Sequence, residues 1–239
     1  MTTLIKFLVT LSLSALCYSC NFTFDGIKGE GEVTTREKTI NKNFNTIKSS
    51  NGLDVVLTSK KDKKVVVEAN ENLHSHIEVY VKEEVLHITA NKNIYQADKK
   101  TVYVSYDILN KIAATSGSEI TSLESIVQKN LSINATSGAN IHLDVKAETL
   151  TSSATSGAIL ELSGKVNNHN AKATSGANTS ADNLLSMVSK AKATSGASIK
   201  IHAKNKFTGN ATSGGHVLYY GNPASVSEND NSGGVVKRR

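Results

Sequence analysis

Tryptophan is absent, proline occurs once (Pro223), aromatic residues make up 5% of the chain, and only two cysteines are present, Cys17 and Cys20. Each shortage excludes something. No thiol follows Cys20, so neither a disulfide framework nor a thiolate metal centre can lie beyond it. Proline removes a ladder donor from any central strand, and its near-absence leaves long continuous strands open. Few aromatics point to a narrow interior lined by small side chains. No apolar run reaches the ~20 residues that a membrane-spanning helix needs; Phe7–Leu16 is too short.

What the chain does have is repetition. Ala-Thr-Ser-Gly occurs six times, starting at Ala114, Ala135, Ala154, Ala173, Ala193 and Ala211, at intervals of 21, 19, 19, 20 and 18 residues. Echoes occur on both sides, Ser50-Asn51-Gly52 before the set and Asn231-Ser232-Gly233 after it. Self-similarity near 20 residues marks a solenoid, each repeat one coil stacked on the last. Within a copy the residues alternate with period 2, as in Ile133, Ala135, Ala139, Ile141 and Leu143 on one face, whereas helical spacing is missing. The fold class is therefore all-β, a parallel β-helix or β-solenoid of about 20-residue coils. Strict alternation puts Ser116, Ser137, Ser156, Ser175, Ser195 and Ser213 on the inward face as buried hydroxyls. It puts Thr115, Thr136, Thr155, Thr174, Thr194 and Thr212 outward in one file. Each repeat glycine either takes φ > 0 at a bend or lets another backbone lie close.

Along the chain, Lys6, the apolar Phe7–Leu16 and Cys17-Tyr18-Ser19-Cys20 read as a signal peptide over residues 1–19. The end of that stretch resembles a bacterial lipobox, which implies cleavage before Cys20 and lipid on its sulfur; Cys17 stands where an aliphatic residue is usual. Residues 20–40 are polar and glycine-bearing and read as a tether. Residues 41–111 hold short β-branched runs of irregular spacing, an N-terminal β lobe that caps or begins the solenoid. Residues 112–222 are the regular coils, and 223–239 a polar C-terminal tail, frayed or a last edge strand.

The segments Phe44-Asn45-Thr46-Ile47 through Ser50-Asn51-Gly52-Leu53-Asp54-Val55, Val65 to Asn72, Ile77 to Val81 and Val85-Leu86-His87-Ile88, with the repeats that follow, resemble the head GIN domain family. That family carries the description of an autotransporter adhesin and is frequent in Bacteroidetes lipoproteins. The resemblance covers nearly all of residues 41–220. It implies an all-β, right-handed helix-like fold in the cell envelope, and it brings no catalytic residues.

Candidate chemistry is sparse. Parallel β-helices include pectin-active enzymes, and polysaccharide hydrolysis needs carboxylates held a few ångströms apart. Counted from the repeat glycine, Glu119, Glu161, Glu124 and Glu148 each fall at a different offset. Only Asp144 and Asp182 share one, two coils apart, which is about 10 Å at the strand spacing. The histidines form no column, and His74 with His76 lacks a third metal ligand. A serine repeated six times is not a lone nucleophile, and the glycines lack the strand–loop–helix context of a phosphate cradle. The net charge of +6, or +5 without Lys6, is spread over scattered lysines and would draw the protein to acidic lipids or anionic glycans. No nucleic-acid motif and no cofactor motif is present. The expectation is a non-catalytic, lipid-anchored envelope protein, on the periplasmic or surface side of the outer membrane. It would bind a glycan or an envelope protein along the threonine file. Two alternatives remain: a polysaccharide-active enzyme or lectin, and an envelope-stress accessory protein.

Overall fold

The computed structural model describes residues 26–59 and 64–239. Cys20, its expected lipidation and the signal peptide lie outside the described residues. The described chain is a β-solenoid of about seven turns with coils of about 19 residues, preceded by a mixed sheet. The coils are built from β10 (Lys111–Ala114), β11 (Glu119–Ser122), β12 (Ile126–Thr136), β13 (Asn140–Thr155), β14 (Ile159–Thr174), β15 (Asn178–Thr194), β16 (Ser198–Thr212) and β17 (His216–Tyr220). Every neighbouring pair runs parallel, and the repeat sets the register. Ala114 lies beside Ala135, then Ala154, Ala173, Ala193 and Ala211 in turn. The unequal intervals are absorbed by bulges away from this column, between Glu161 and Ser163 and again between Ala181 and Leu185.

At Ala-Thr-Ser-Gly the chain turns a corner, so the first of the two alternatives for the repeat glycine, φ > 0 at a bend, is the one the structure takes. The six Ser-Gly pairs of the repeats and Ser232-Gly233 have both residues at positive φ, near +53° for Ser156 and +71° for Gly157, and Asn51-Gly52 does the same at +62° and +68°. Two successive left-handed residues make a type I′ turn, closed in the third copy by Ala158 N–H donating to the Thr155 carbonyl at 3.3 Å. The serines are therefore exposed on the outside of the corner, not buried inside as expected. The error has a simple cause. A two-residue turn leaves the parity of the strand pattern unchanged, so Ala154 and Ala158 both face inward on either side of it. The glycine is there for its backbone, because a Cβ built on Gly157 meets nothing within 4 Å. The ladder continues around the bend, with Gly157 N–H donating to the Ser175 carbonyl of the next coil at 3.1 Å.

The interior is narrow at this corner, where mostly small residues such as Ala154, Ala158 and Ser118 are buried, and wider beyond it, where Ile133, Ile141, Leu143, Leu160 and Leu162 are buried. One coil precedes the repeats. β3 (Thr46–Ser49) and β4 (Asp54–Ser59) stack on β10 and β11 around the Asn51-Gly52 corner. Beyond them β7 (Val85–Ala90) lies parallel on β3, and β9 (Lys100–Tyr106) parallel on β4. The stack then switches to antiparallel pairing, β6 (Ile77–Lys82) on β7 and β5 (Val65–Asn70) on β9. This switch caps the N-terminal end.

Residues 26–38, expected to belong to the tether, instead hold β1 (Gly26–Lys28), paired with β8 (Asn93–Gln96), and β2 (Val33–Lys38), antiparallel to β5. β2 is an edge strand, exposed at Val33, Thr35, Arg36 and Glu37, so it carries no apolar alternation to betray it. At the other end β18 (Ser225–Asp230) and β19 (Val235–Arg238) pair with β16 and β17 and form a further coil around Ser232-Gly233. Among the described residues no strand lies beyond β18, which is exposed along its whole length.

Candidate functional site

The six threonines precede the corner and are half-buried, pointing outward in register, Thr136 beside Thr155 and Thr155 beside Thr174. Each of the first four has its Oγ1 at 3.4–3.5 Å from the Oγ of the following serine. Thr194 and Thr212 bond each other across coils at 3.0 Å. The corner therefore displays a double row of hydroxyls, since the serine row joins the threonine file that the sequence predicted.

The two faces that meet at this corner differ in charge. Before it, two further outward columns run alongside the threonines. One reads Lys48, Ala113, Asn134, Ser153, Lys172, Lys192, Asn210 and Asn229; the other Thr46, Lys111, Ser132, Thr151, Asn170, Lys190, Thr208 and Ser227. Neither contains a carboxylate. After the corner the outward positions carry Asp54, Glu119, Asp144, Glu161 and Asp182, with Lys200 and Lys237 on the later coils.

The acidic face holds an open groove of about 360 Å³ into which His142, Asp144, Glu161, Ser163 and Asp182 project. His142 stands between two carboxylates, Nδ1 at 3.1 Å from Glu161 and Nε2 at 3.9 Å from Glu119. Ser163 donates to Asp144 at 2.9 Å. Asp144 and Asp182 thus do share one groove, with the Ser163 coil between them. The His142–Glu161 pair was missed in sequence because acids and histidines were placed separately, although both lie at the same offset from their repeat glycines. These side chains are 37–58% exposed, so water screens them strongly. Among the described residues, no group of three or more His, Cys, Asp or Glu is placed to hold a metal. His74 is buried against Thr34, while His76 faces Asn91, so the two do not converge.

A family model described as "Putative auto-transporter adhesin, head GIN domain" matches residues 43–223, the six Ala-Thr-Ser-Gly corners and the coil before them included. The chain belongs to the head GIN domain family. That description implies a place outside the cytoplasm. The head GIN fold recurs in solved structures. A "putative adhesin" from Bacteroides fragilis superposes with a TM-score of 0.82 at 18% identity, covering 90% of this chain and 100% of that one. One from Parabacteroides merdae gives 0.72 at 20% identity over 90% and 99%. A "putative lipid binding protein" from Parabacteroides distasonis gives 0.72 at 16% identity over 89% and 99%. At these identities the likeness is one of fold. No curated protein matches.

Inside this head GIN solenoid lies a polar cluster that the sequence reading passed over. His169 occupies an inward position between Leu150 and Ser189 and is fully buried. Its Nε2 lies 2.9 Å from Ser152 Oγ, and its Nδ1 has no partner. Burial alone drives its imidazole down to about 4, because the charged form would lose its hydration. Ser186 and Ser189, also buried, both donate to the His202 carbonyl. Period-2 parity puts His169 inward, but no rule of composition predicts a histidine there.

Proposed function

We propose that this head GIN protein is a non-catalytic envelope protein, held to a membrane by lipid at Cys20, that binds a glycan or an envelope protein along its repeat face. The observation that carries the reading is the unbroken outward register of Thr115, Thr136, Thr155, Thr174, Thr194 and Thr212 beside the exposed corner serines. A rigid parallel ladder holds these hydroxyls at fixed spacing of about 4.8 Å. Polar side chains so preorganised lose little freedom on docking an extended ligand. Adhesin names among relatives of the same fold agree with a binding role. The imidazole and carboxylates of the acidic groove are solvated, which suits surface charge better than proton transfer.

The test is an array of glycans, cell-wall fragments and envelope proteins probed with the protein and with a Thr136→Gln/Thr155→Gln/Thr174→Gln variant. Loss of a wild-type ligand in the variant, with folding intact by circular dichroism, supports the face as the recognition surface. A ligand bound equally by both overturns it. Lipidation is checked by mass spectrometry of the membrane-extracted protein, with Cys20→Ser expected to release it to the soluble fraction.

A further inference from the structure

The face before the corner has a property that the threonine file alone does not predict. Over the strands stacked from β7 to β18, its three outward columns hold lysines, hydroxyls and amides, with Val85, His87 and Ala113 at the N-terminal end, and no carboxylate. The lysines gather at two places. At the N-terminal end, Lys48, Lys82 and Lys111 surround an open groove of about 460 Å³ whose floor includes Val85, His87 and Ala113; one carboxylate, Glu83, reaches its rim. Nearer the other end, Lys190 and Lys192 stand on β15 with Lys172 directly opposite Lys192 on β14. Among the described residues, none of these six ammonium groups forms an ion pair. Like charges directly opposite on neighbouring strands repel, so an arriving anion would relieve a cost that the free protein carries.

Between the two groups the surface is neutral and hydrogen-bonding. Ser132, Thr151 and Asn170 link Lys111 to Lys190 across four strand steps, about 19 Å at the strand spacing. At the N-terminal end Tyr80, 43% exposed, stacks on His87 with ring centroids 5.0 Å apart and gives an aromatic surface beside the lysines. The three columns themselves show no large exposed apolar side chain, and a surface that enters lipid needs such residues. Charges at both ends, hydroxyl and amide partners between them and an aromatic platform at one end match an acidic sugar polymer.

We propose that this face docks an anionic polysaccharide, a chain bearing carboxylate or sulfate groups, with Lys48, Lys82 and Lys111 holding one stretch and Lys172, Lys190 and Lys192 another. The proposal rests on the repeat face being a recognition surface and names the class of ligand it takes. The polymer lies along the solenoid axis, its anionic groups meet the two lysine clusters, and its hydroxyls meet the serine, threonine and asparagine columns between.

The test measures binding of polygalacturonate, dextran sulfate and neutral dextran to the purified protein at low salt. Three charge-reversal variants are compared, Lys48→Glu/Lys82→Glu/Lys111→Glu, Lys172→Glu/Lys190→Glu/Lys192→Glu, and a control, Lys129→Glu/Lys146→Glu/Lys165→Glu, on a different face. The polyanions should bind and neutral dextran should not, with affinity falling about tenfold in each face variant and far less in the control. Added salt should weaken the wild type more than either face variant. Equal loss in the control would reduce the effect to net charge and overturn the site. Absence of polyanion binding would overturn the ligand class, and so would tighter binding to phosphatidylglycerol vesicles or a DNA oligonucleotide through the same lysines. If in any of these cases the threonine variant still loses a ligand from the array, the recognition face stands and only the polyanion assignment falls.

Discussion

Lowering the pH should weaken this fold most through one residue. His169 is neutral and fully buried in the folded protein, with its pKa held near 4 by desolvation, against 6.5 when unperturbed. Between those values the unfolded chain binds a proton that the folded one does not, so stability is full above about 6.5 and falls as pH drops. The loss is complete near 4, where both states are charged. The whole interval corresponds to roughly 3.4 kcal/mol at about 1.36 kcal/mol per pH unit. Integrated from pH 7.5 to 5.0 it is about 2 kcal/mol. Other groups titrate as well. His74 and His87 are lowered by burial first and nearby cations second, and Glu71 is lowered chiefly by its hydrogen bond from Thr34. The control is therefore a Ser152→Ala/His169→Leu variant, which removes both partners of the buried bond and leaves neither orphaned. Both side chains have precedent in their own columns, since Ala171 is the next-coil neighbour of Ser152 and Leu150 the previous-coil neighbour of His169. Urea unfolding at the two pH values, followed by circular dichroism, should show the wild type losing about 2 kcal/mol more than the variant, a midpoint difference of about 1 M. A difference below about 0.5 kcal/mol would refute the account of His169 as a buried neutral group.

Further expectations follow from the corners, the core and the end. Gly157→Ala should cost about 1–2 kcal/mol in thermal unfolding, entirely through φ of +71°, since the methyl group meets nothing. Ser156→Asn, which tolerates the left-handed region better, should raise the melting temperature; no change in either variant would remove backbone strain as a factor at these corners. Leu160→Ala, fully buried in the wide part of the coil, should cost about 3 kcal/mol by chemical denaturation, and a loss under about 1 kcal/mol would mean the coil collapses around the gap. Glu228, Asp230 and Arg238 lie in register with the inward Gly209, Ala211 and Tyr219 and put charge on the edge of the last coil, where it discourages pairing with another chain. A Glu228→Val/Asp230→Val/Arg238→Val variant should associate end to end, seen as a rise in mass by light scattering; a monomeric variant would show that other features of the edge suffice.

The sequence by itself determined the coil length, the column of inward alanines and branched residues, and the outward threonine file, because a strand ladder repeats whatever the chain repeats. It determined the family too. It did not determine that Ser156 sits outside a corner, since a two-residue turn preserves the same parity as a straight strand. Pairings such as His142 with Glu161 and Lys172 with Lys192 follow shared offsets from the repeat, whereas the bulges at Glu161–Ser163 and Ala181–Leu185 that take up the unequal intervals were hidden. The edge strand β2 gave no sign of itself, because a strand exposed on most of its surface has no apolar alternation, and only the echo at Asn231-Ser232-Gly233 hinted at the coil that holds β18. The separation of charge across the corner, acids after it and lysines before it, is likewise a matter of which residues share a face. Local periodicity fixes a side chain's direction within its own coil, and only the stacking of coils decides what stands beside it.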